Sequence, residues 1–575
     1  MTGGTMSSVV PGLATVRSYE RRWLPRDAVA GLVLVALLVP QGMAYAELAG
    51  LPAITGLYTS ILCLLGYAVF GPSRIMVLGP DSSLGPMIAA TILPLVGAQG
   101  DPARAIALAS MLGLLVGGIM VLAGAARLGF IADLISKPTI VGYLNGLALT
   151  ILVGQLPKLF GFSVKGDGFI PELKGFVKGL ANGEAVGAAV AVGVLGIVII
   201  LGLQRIIPKI PGVLVAVIAS IAAASLFDLG AHGVSLIGPL PQGFPPFTIP
   251  HVRLSDMALL IGGAFGIAVV ALADTISLAT SLAARSGEEV DGSREMIGIG
   301  AANVAAGLFQ GFPVSSSASR SAVAEQAGAR TQVAGVVGAL GITLILLLAP
   351  DLLKNLPNPT LAAVVIVAAF SLVDVKSARR LYRQRRTEFG LAAAAFLGVT
   401  LLGVLPGIAI AVALSIGNVF RRAWWPYLTV LGRVPGVPGY HDVRSYPQAE
   451  QLAGCTIFRF DAPLFFANAR AFREEVEKLA RAQTRPAWIV VAAEPITDVD
   501  TTAADMLEDL DEDLNEKGIS LVFAEMKDRV REKVIRYGLT RTIDPTHFFP
   551  TLDAALEDFR RRTDAAWRPG TQSGR

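Results

Sequence analysis

The stretch GFPVSSSASRSAV, residues 311–323, sets one permanently charged side chain, Arg320, among serines just after a proline, with long apolar runs on either side. A second stretch, GPDSSLGPM at residues 79–87, repeats the plan: glycine, proline, then hydroxyl residues that open a short helix-like segment. Proline interrupts a helix by removing a donor and crowding the preceding turn. In lipid such a break is tolerated only where the freed backbone groups face protein or a cavity. Two interrupted segments in corresponding places of two apolar halves point to a transport site built from inverted repeats.

The rest of the chain has the composition this demands. Of 575 residues, 53% are hydrophobic and 16% charged, where ordinary soluble domains carry roughly a quarter charged residues. Runs such as AVGAAVAVGVLGIVIILGL (185–203) and VLVAVIASIAAASLF (213–227) approach the roughly 20 apolar residues that cross a hydrocarbon core of about 30 Å. Near the start, RSYERRWLPRD (17–27) puts charge and an aromatic ahead of a long apolar segment without a small-residue cleavage pattern, which reads as a retained segment and not a leader. Cys63 and Cys455 lie far apart, so neither a disulfide nor a thiolate metal site is expected. His232, His251, His441 and His547 show no ligand spacing. The net charge of +4 comes from basic residues beside the apolar runs, not interleaved with aromatics, which sets nucleic acid aside as a partner.

Apolar runs and their punctuation give about fourteen spans, near 27–46, 53–70, 82–97, 104–124, 138–156, 185–203, 211–228, 256–280, 293–310, 316–327, 332–350, 357–373, 387–404 and 406–420. The third and tenth are conspicuously short. Lys and Arg gather after even-numbered spans: Arg127 with Lys137, Arg205 with Lys209, Arg285 with Arg294, Arg330, the run KSARRLYRQRR (376–386), and Arg421 with Arg422. Lys158 to Lys178 is the main exception. The positive-inside bias then puts both termini in the cytoplasm of a cell-membrane protein in contact with lipid. From about residue 451, short apolar strands (CTIFRFDAPLFFANA, AWIVVAAEP, ISLVFAEM) alternate with amphipathic helices, the pattern of a small soluble α/β domain. The expected division is a cytoplasmic segment 1–26, a membrane domain 27–423 with halves at about 27–230 and 255–423, a Pro/Gly-rich linker 424–450, the α/β domain 451–560, and a disordered tail 561–575.

The physics of the two breaks favours an anion. A helix beginning at Ser82 or Ser316 leaves its first N–H groups unpaired and carries roughly half a positive charge at that end, so two such ends facing one another cradle negative oxygens. The hydroxyls of Ser315, Ser316, Ser317 and Ser319 can cap the helix or donate to a ligand, and Arg320 supplies a full charge one turn inside. An arginine near the bilayer centre costs on the order of 3 kcal/mol on insertion scales, so it implies a ligand or a carboxylate partner such as Asp81, Glu325 or Glu47. Asp274, deep in the eighth span within GIAVVALADTISLATSLAARSG (266–287), is an acid placed to load and release a proton, or to pair with Arg320.

Three long stretches carry a family resemblance: LLVPQGMAYAELAGLPAITGLYTSI (37–61), ARSGEEVDGSREMIGIGAANVAAGLFQGFPVSSSASRSAV (284–323) and FRFDAPLFFANA (458–469). The chain resembles the SulP, or solute carrier 26, family of anion transporters over nearly its whole length, and its terminal domain resembles the STAS module. The resemblance implies a polytopic helical membrane fold of fourteen spans in two inverted seven-span repeats, divided into core and gate domains. It also implies a dimer working by an elevator movement. It puts the substrate between the starts of the third and tenth spans, lined by Gln41 and Tyr45 of PQGMAY and by Ser317, Ser319 and Arg320 of SSSASRS, with Asp81, Ser82 and Ser316 at the breaks. Asp274 stands where proton-coupled members carry an acid. Asp81 departs from the apolar or small residue that many relatives have after GP. DVDTTAADML (498–507) matches the STAS loop in which related regulatory proteins are phosphorylated, making Thr501 or Thr502 the candidate, although a plain helix cap after Asp500 explains the same residues.

Together these readings lead to secondary active uptake of a small inorganic oxyanion, sulfate first, with the proton as coupling ion and sodium as the alternative. Bicarbonate with sodium and dicarboxylate with protons use the same architecture. A nucleobase permease suits the arginine less well, an anion channel leaves Asp274 without a task, and a membrane-anchored signalling protein leaves the polar breaks unexplained. No nucleophile with its base, metal constellation or phosphate loop marks an enzyme, and no cofactor is expected.

Overall fold

The computed structural model describes residues 10–97, 100–128, 136–164, 168–207, 210–286 and 291–569. Lys209 and the side chain of Arg285, both used above for orientation, fall outside the described residues, as do positions 1–9 and 570–575 of the two expected end segments. The chain forms two compact units, residues 1–416 and 417–575, each described by itself.

Among the described residues, eight helices are long and apolar enough to cross a bilayer, and there are three shorter apolar helices (Gly85–Val96, Gly212–Leu226, Val333–Leu348). The helices Gly292–Leu308, Ala318–Gln326 and Arg386–Leu397, the last prolonged by a π-helical turn Gly398–Leu402, bring the segments to fourteen in the expected order. The first span, Leu24–Leu48, and the second, Ala53–Phe70, meet through glycines: a Cβ on Gly56 would sit 1.9 Å from the Gly42 carbonyl oxygen. Small residues let backbones approach in this way, and the contact fixes the part of the first span that carries Gln41 and Tyr45.

The third and tenth spans start later than the sequence suggests, at Gly85 and Ala318 in place of Ser82 and Ser316. The residues just before them are extended and paired with one another. Leu78–Gly79 (β1) runs antiparallel to Ser315–Ser316 (β2), with Leu78 opposite Ser316 and Gly79 opposite Ser315. Ser317 N–H donates to the Val77 carbonyl at 3.1 Å, and Val77 N–H to Ser321 Oγ at 2.9 Å. The backbone groups freed by the two breaks thus satisfy each other inside the protein.

Neighbouring side chains hold the breaks in place. Asn303 accepts from Val314 N–H at 2.9 Å and donates to the Val314 carbonyl at 3.2 Å, while Thr59 Oγ1 accepts from Phe312 N–H at 3.1 Å. On the other side, Gln332 Nε2 donates to the carbonyls of Ser73 at 2.8 Å and Met76 at 2.9 Å. Asn303→Leu, close in volume, leaves two buried main-chain groups of Val314 without these partners, each at about 1–3 kcal/mol. The expected outcome is a clear fall in the melting temperature of detergent-solubilised protein; a variant melting with the wild type refutes the clamp.

The second unit is an α/β layer structure with strand order β10-β5-β3-β6-β7-β8-β9 and β4 beside β3. In chain order the strands are β3 Leu428–Arg433, β4 Tyr440–Asp442, β5 Glu450–Leu452, β6 Cys455–Phe460, β7 Trp488–Ala492, β8 Ser520–Ala524, β9 Phe548–Phe549 and β10 Trp567–Pro569. Strands β6 to β9 are parallel, and β3 runs antiparallel to β6. All of β7 is buried, Ile489 and Val491 packing with Phe458, Phe460 and Phe472 on one face and Val490 with Val522, Leu556 and Phe559 on the other. A strand covered on both faces reads as an unbroken apolar run. The sheet corrects two expected boundaries. β3 and β4 lie inside the segment read as a linker, 424–450, while the helix Leu552–Thr563 runs three residues into the tail read as disordered, 561–575, where Trp567–Pro569 forms β10. β10 is held by β5, with Trp567 opposite Leu452, and Arg433 lies 4.6 Å from the Trp567 ring centre.

Candidate functional site

The β1–β2 ladder brings the starts of the third and tenth spans together, with Arg320 between them. Arg320 is 1% exposed. Its Nη1 donates to the Pro80 carbonyl at 2.5 Å, and its Nη2 lies 3.8 Å from Asp81 Oδ2. Nε and Nη2 have no hydrogen-bond partner among the described residues, nor has the buried Ser316 Oγ. Buried donors are almost always satisfied, so a guanidinium with two donors left open among the described residues stands out. Gly79 leaves room for this approach, since a Cβ there would lie 3.3 Å from the guanidinium carbon, a tight contact.

The hydroxyls divide their tasks. Ser317 is the N-cap of the tenth span, its Oγ accepting from Arg320 N–H at 3.5 Å and lying 3.1 Å from Ser319 Oγ. Ser319 is exposed in the first turn, whereas Ser316 is buried in β2. Ser82 is buried in the turn just before the third span, and Tyr45 of the first span faces Ser82, Asp81 and Arg320. Gln41 lies one turn before Tyr45, half-buried, on the same helix face.

Asp81 is not a free carboxylate. Its Oδ1 accepts from Ser83 N–H at 2.9 Å and from Ser83 Oγ at 2.7 Å, an Asx-type turn that leaves Oδ2 toward Arg320. Asp274, on the eighth span Met257–Ser286, lies 3.4 Å from Ser83 Oγ through its Oδ2. It also borders a cavity lined by Thr139 and Tyr143 of the fifth span and by Ile408 and Ala411 of the fourteenth. The carboxylate beside Arg320 is therefore Asp81; among the described ion pairs Asp274 does not join it. Glu47 offers its main-chain carbonyl to Lys158 Nζ at 3.3 Å.

Two residues of this neighbourhood escape the sequence reading. Tyr143 is buried with no hydrogen-bond partner for its hydroxyl among the described residues, next to Asp274, and nothing local in its helix marks it. Ser83 was legible through the Asp-x-Ser spacing of an Asx turn. In the second unit, Thr501 and Thr502 are both exposed at the start of the helix Thr501–Asn515. The cap there is Asp500, which accepts from Ala503 N–H at 2.8 Å and from Phe466 N–H at 2.9 Å.

Fourteen helical segments among the described residues, two of them preceded by breaks that pair with one another beside a buried arginine, define a polytopic membrane protein. The chain belongs to the sulfate permease family, whose model matches residues 24–395, and a STAS domain model matches residues 446–555. A probable sulfate transporter of Mycobacterium tuberculosis is 41% identical over 561 residues, covering 97% of this chain and 100% of the relative. Probable sulfate transporter 3.3 of Arabidopsis thaliana is 30% identical, covering 92% of this chain and 87% of its own length. Among solved structures, the murine solute carrier 26 family member A9 anion transporter in the inward-facing state superposes with a TM-score of 0.90 at 23% identity, covering 98% of this chain and 95% of that one. The transmembrane domain of the cyanobacterial bicarbonate transporter BicA gives 0.60 at 20% identity, covering 68% of this chain and 98% of that one. At these identities the two structures speak for the fold alone.

Proposed function

We infer that the protein takes up a small inorganic oxyanion, sulfate first, by coupling to the proton gradient, with the substrate between the starts of the third and tenth spans. The observation that carries this reading is the buried Arg320 with two open donors beside two helix tips. A tetrahedral or planar oxyanion matches a guanidinium fork and main-chain N–H groups, where a neutral solute leaves the charge uncompensated. The names of relatives along nearly the full chain, probable sulfate transporters, support sulfate. In this reading Gln41, Tyr45, Ser82, Ser316, Ser317 and Ser319 line the site, Asp274 carries the proton, and Thr501 or Thr502 is a regulatory position. The protein works as a homodimer in the cell membrane by an elevator movement, with both termini and the STAS domain in the cytoplasm.

The test is a competition panel in proteoliposomes of the purified protein. Labelled sulfate uptake is followed against sulfate, bicarbonate and a dicarboxylate at two pH values, with and without sodium. Sulfate is expected to compete best and acid outside to stimulate. Displacement by bicarbonate alone with a sodium requirement overturns both the substrate and the coupling ion. Uptake that ignores every gradient but the anion's own points to a channel.

A further inference from the structure

The two carboxylates of the site are joined by one hydroxyl. Ser83 Oγ lies 2.7 Å from Asp81 Oδ1 and 3.4 Å from Asp274 Oδ2, and Ser83 itself is 1% exposed. The Ser83 main-chain N–H fixes the same Asp81 oxygen at 2.9 Å, so the other, Oδ2, is the one that faces Arg320. A hydroxyl has one hydrogen to give. With that hydrogen on Asp81, the Ser83 oxygen presents lone pairs to Asp274, which suits Asp274 as a donating acid and not as a carboxylate.

We propose that Ser83 is a proton-transfer and positioning residue that joins Asp274 to Asp81, so that a proton loaded at Asp274 reaches Asp81 and releases Arg320 to an incoming oxyanion. The inference rests on the proton-coupled reading above and adds the route by which the proton is felt at the anion site. In the transfer, the Asp274 O–H bond breaks as its hydrogen passes to Ser83 Oγ, and the Ser83 O–H bond breaks as its hydrogen passes to Asp81 Oδ1. Asp274 ends as a carboxylate, Asp81 as a neutral acid and Ser83 as it began, with one proton conserved. The longer leg closes by roughly 0.6 Å to reach the usual O–H···O distance. Ionised Asp81 competes with the substrate for the guanidinium and repels it; neutral Asp81 does neither.

Other groups face this chain from neighbouring elements, but among the described hydrogen bonds Ser83 Oγ is the group that touches both carboxylates. Tyr45 from the first span faces Asp81 and Arg320, Cys63 from the second lies in the field of Arg320, and Tyr143 from the fifth faces Asp274 and Asp81. The fourteenth span presents only Ile408, Ala411 and Val412 to the Asp274 cavity.

The experiment uses full-length protein in proteoliposomes with sulfate as the probe. Removing a positioned proton donor or acceptor typically costs about 10²–10⁴-fold in rate, so Ser83→Ala is expected to lose at least about tenfold in the initial rate of sulfate accumulation under an imposed pH gradient. Asp81→Asn is expected to bind sulfate with the same dissociation constant at acid and mildly alkaline pH, where the wild type weakens as pH rises. Wild-type accumulation by Ser83→Ala overturns the relay, and so does a wild-type pH dependence of binding in Asp81→Asn, which decides the matter alone should Ser83→Ala fail to fold. If Asp274→Asn loses accumulation while Ser83→Ala keeps it, proton coupling stands and the relay falls. If the wild type does not accumulate sulfate under a pH gradient, both fall together.

Discussion

Arg320→Ala is expected to cut anion uptake in proteoliposomes by at least about thirtyfold, while the protein still elutes as a single species from size-exclusion chromatography. The side chain is buried, donates to the Pro80 carbonyl and leaves Nε and Nη2 without hydrogen-bond partners among the described residues. Truncating one member of a buried, hydrogen-bonded charge pair costs about 2–5 kcal/mol or more, and about 1.4 kcal/mol is tenfold. The variant also leaves Asp81 facing the incoming anion with no cation beside it, so the repulsion adds to the lost attraction. Arg320→Lys keeps the charge but loses the planar fork, and is expected to fall between alanine and wild type. Uptake by a well-folded alanine variant at more than a tenth of the wild-type rate removes the guanidinium from the mechanism.

Asp274→Asn gives the second large effect, on coupling more than on binding. Asparagine is nearly isosteric and imitates the protonated acid without being able to release a proton. One pH unit is about 1.4 kcal/mol per proton, so each coupled proton supports at most about tenfold accumulation per unit of gradient. The variant is expected to equilibrate labelled anion across the bilayer and to accumulate none, whatever the pH difference imposed. Accumulation that still scales with the gradient assigns the coupling to another group.

What was legible in the sequence follows from how local its cause is. The spans came from uninterrupted apolar length, which a bilayer imposes on each helix separately, and their order survives in the fold. Arg320 and the two breaks stood out because proline, glycine and charge are costly in such surroundings. The exact helix starts did not, since Ser315 and Ser316 are extended only because Gly79 and Leu78 lie opposite, more than two hundred residues earlier in the chain. The same applies to β3, whose residues Leu428 and Leu431 find Phe460 and Ile457 across the ladder while the surrounding prolines suggested a linker. Asp81 stood out in the sequence as a departure from relatives and a candidate partner of Arg320; the hydroxyl and main-chain N–H of Ser83, two residues on, give it a defined place.

The pairing of β10 with β5 has a practical side for anyone handling this protein. Trp567–Pro569 is stitched to Glu450–Leu452 and shielded by the Arg433 side chain. A reporter or affinity handle therefore belongs beyond Pro569, and a clone trimmed a few codons earlier would leave an open sheet edge on which purified material could stick to itself.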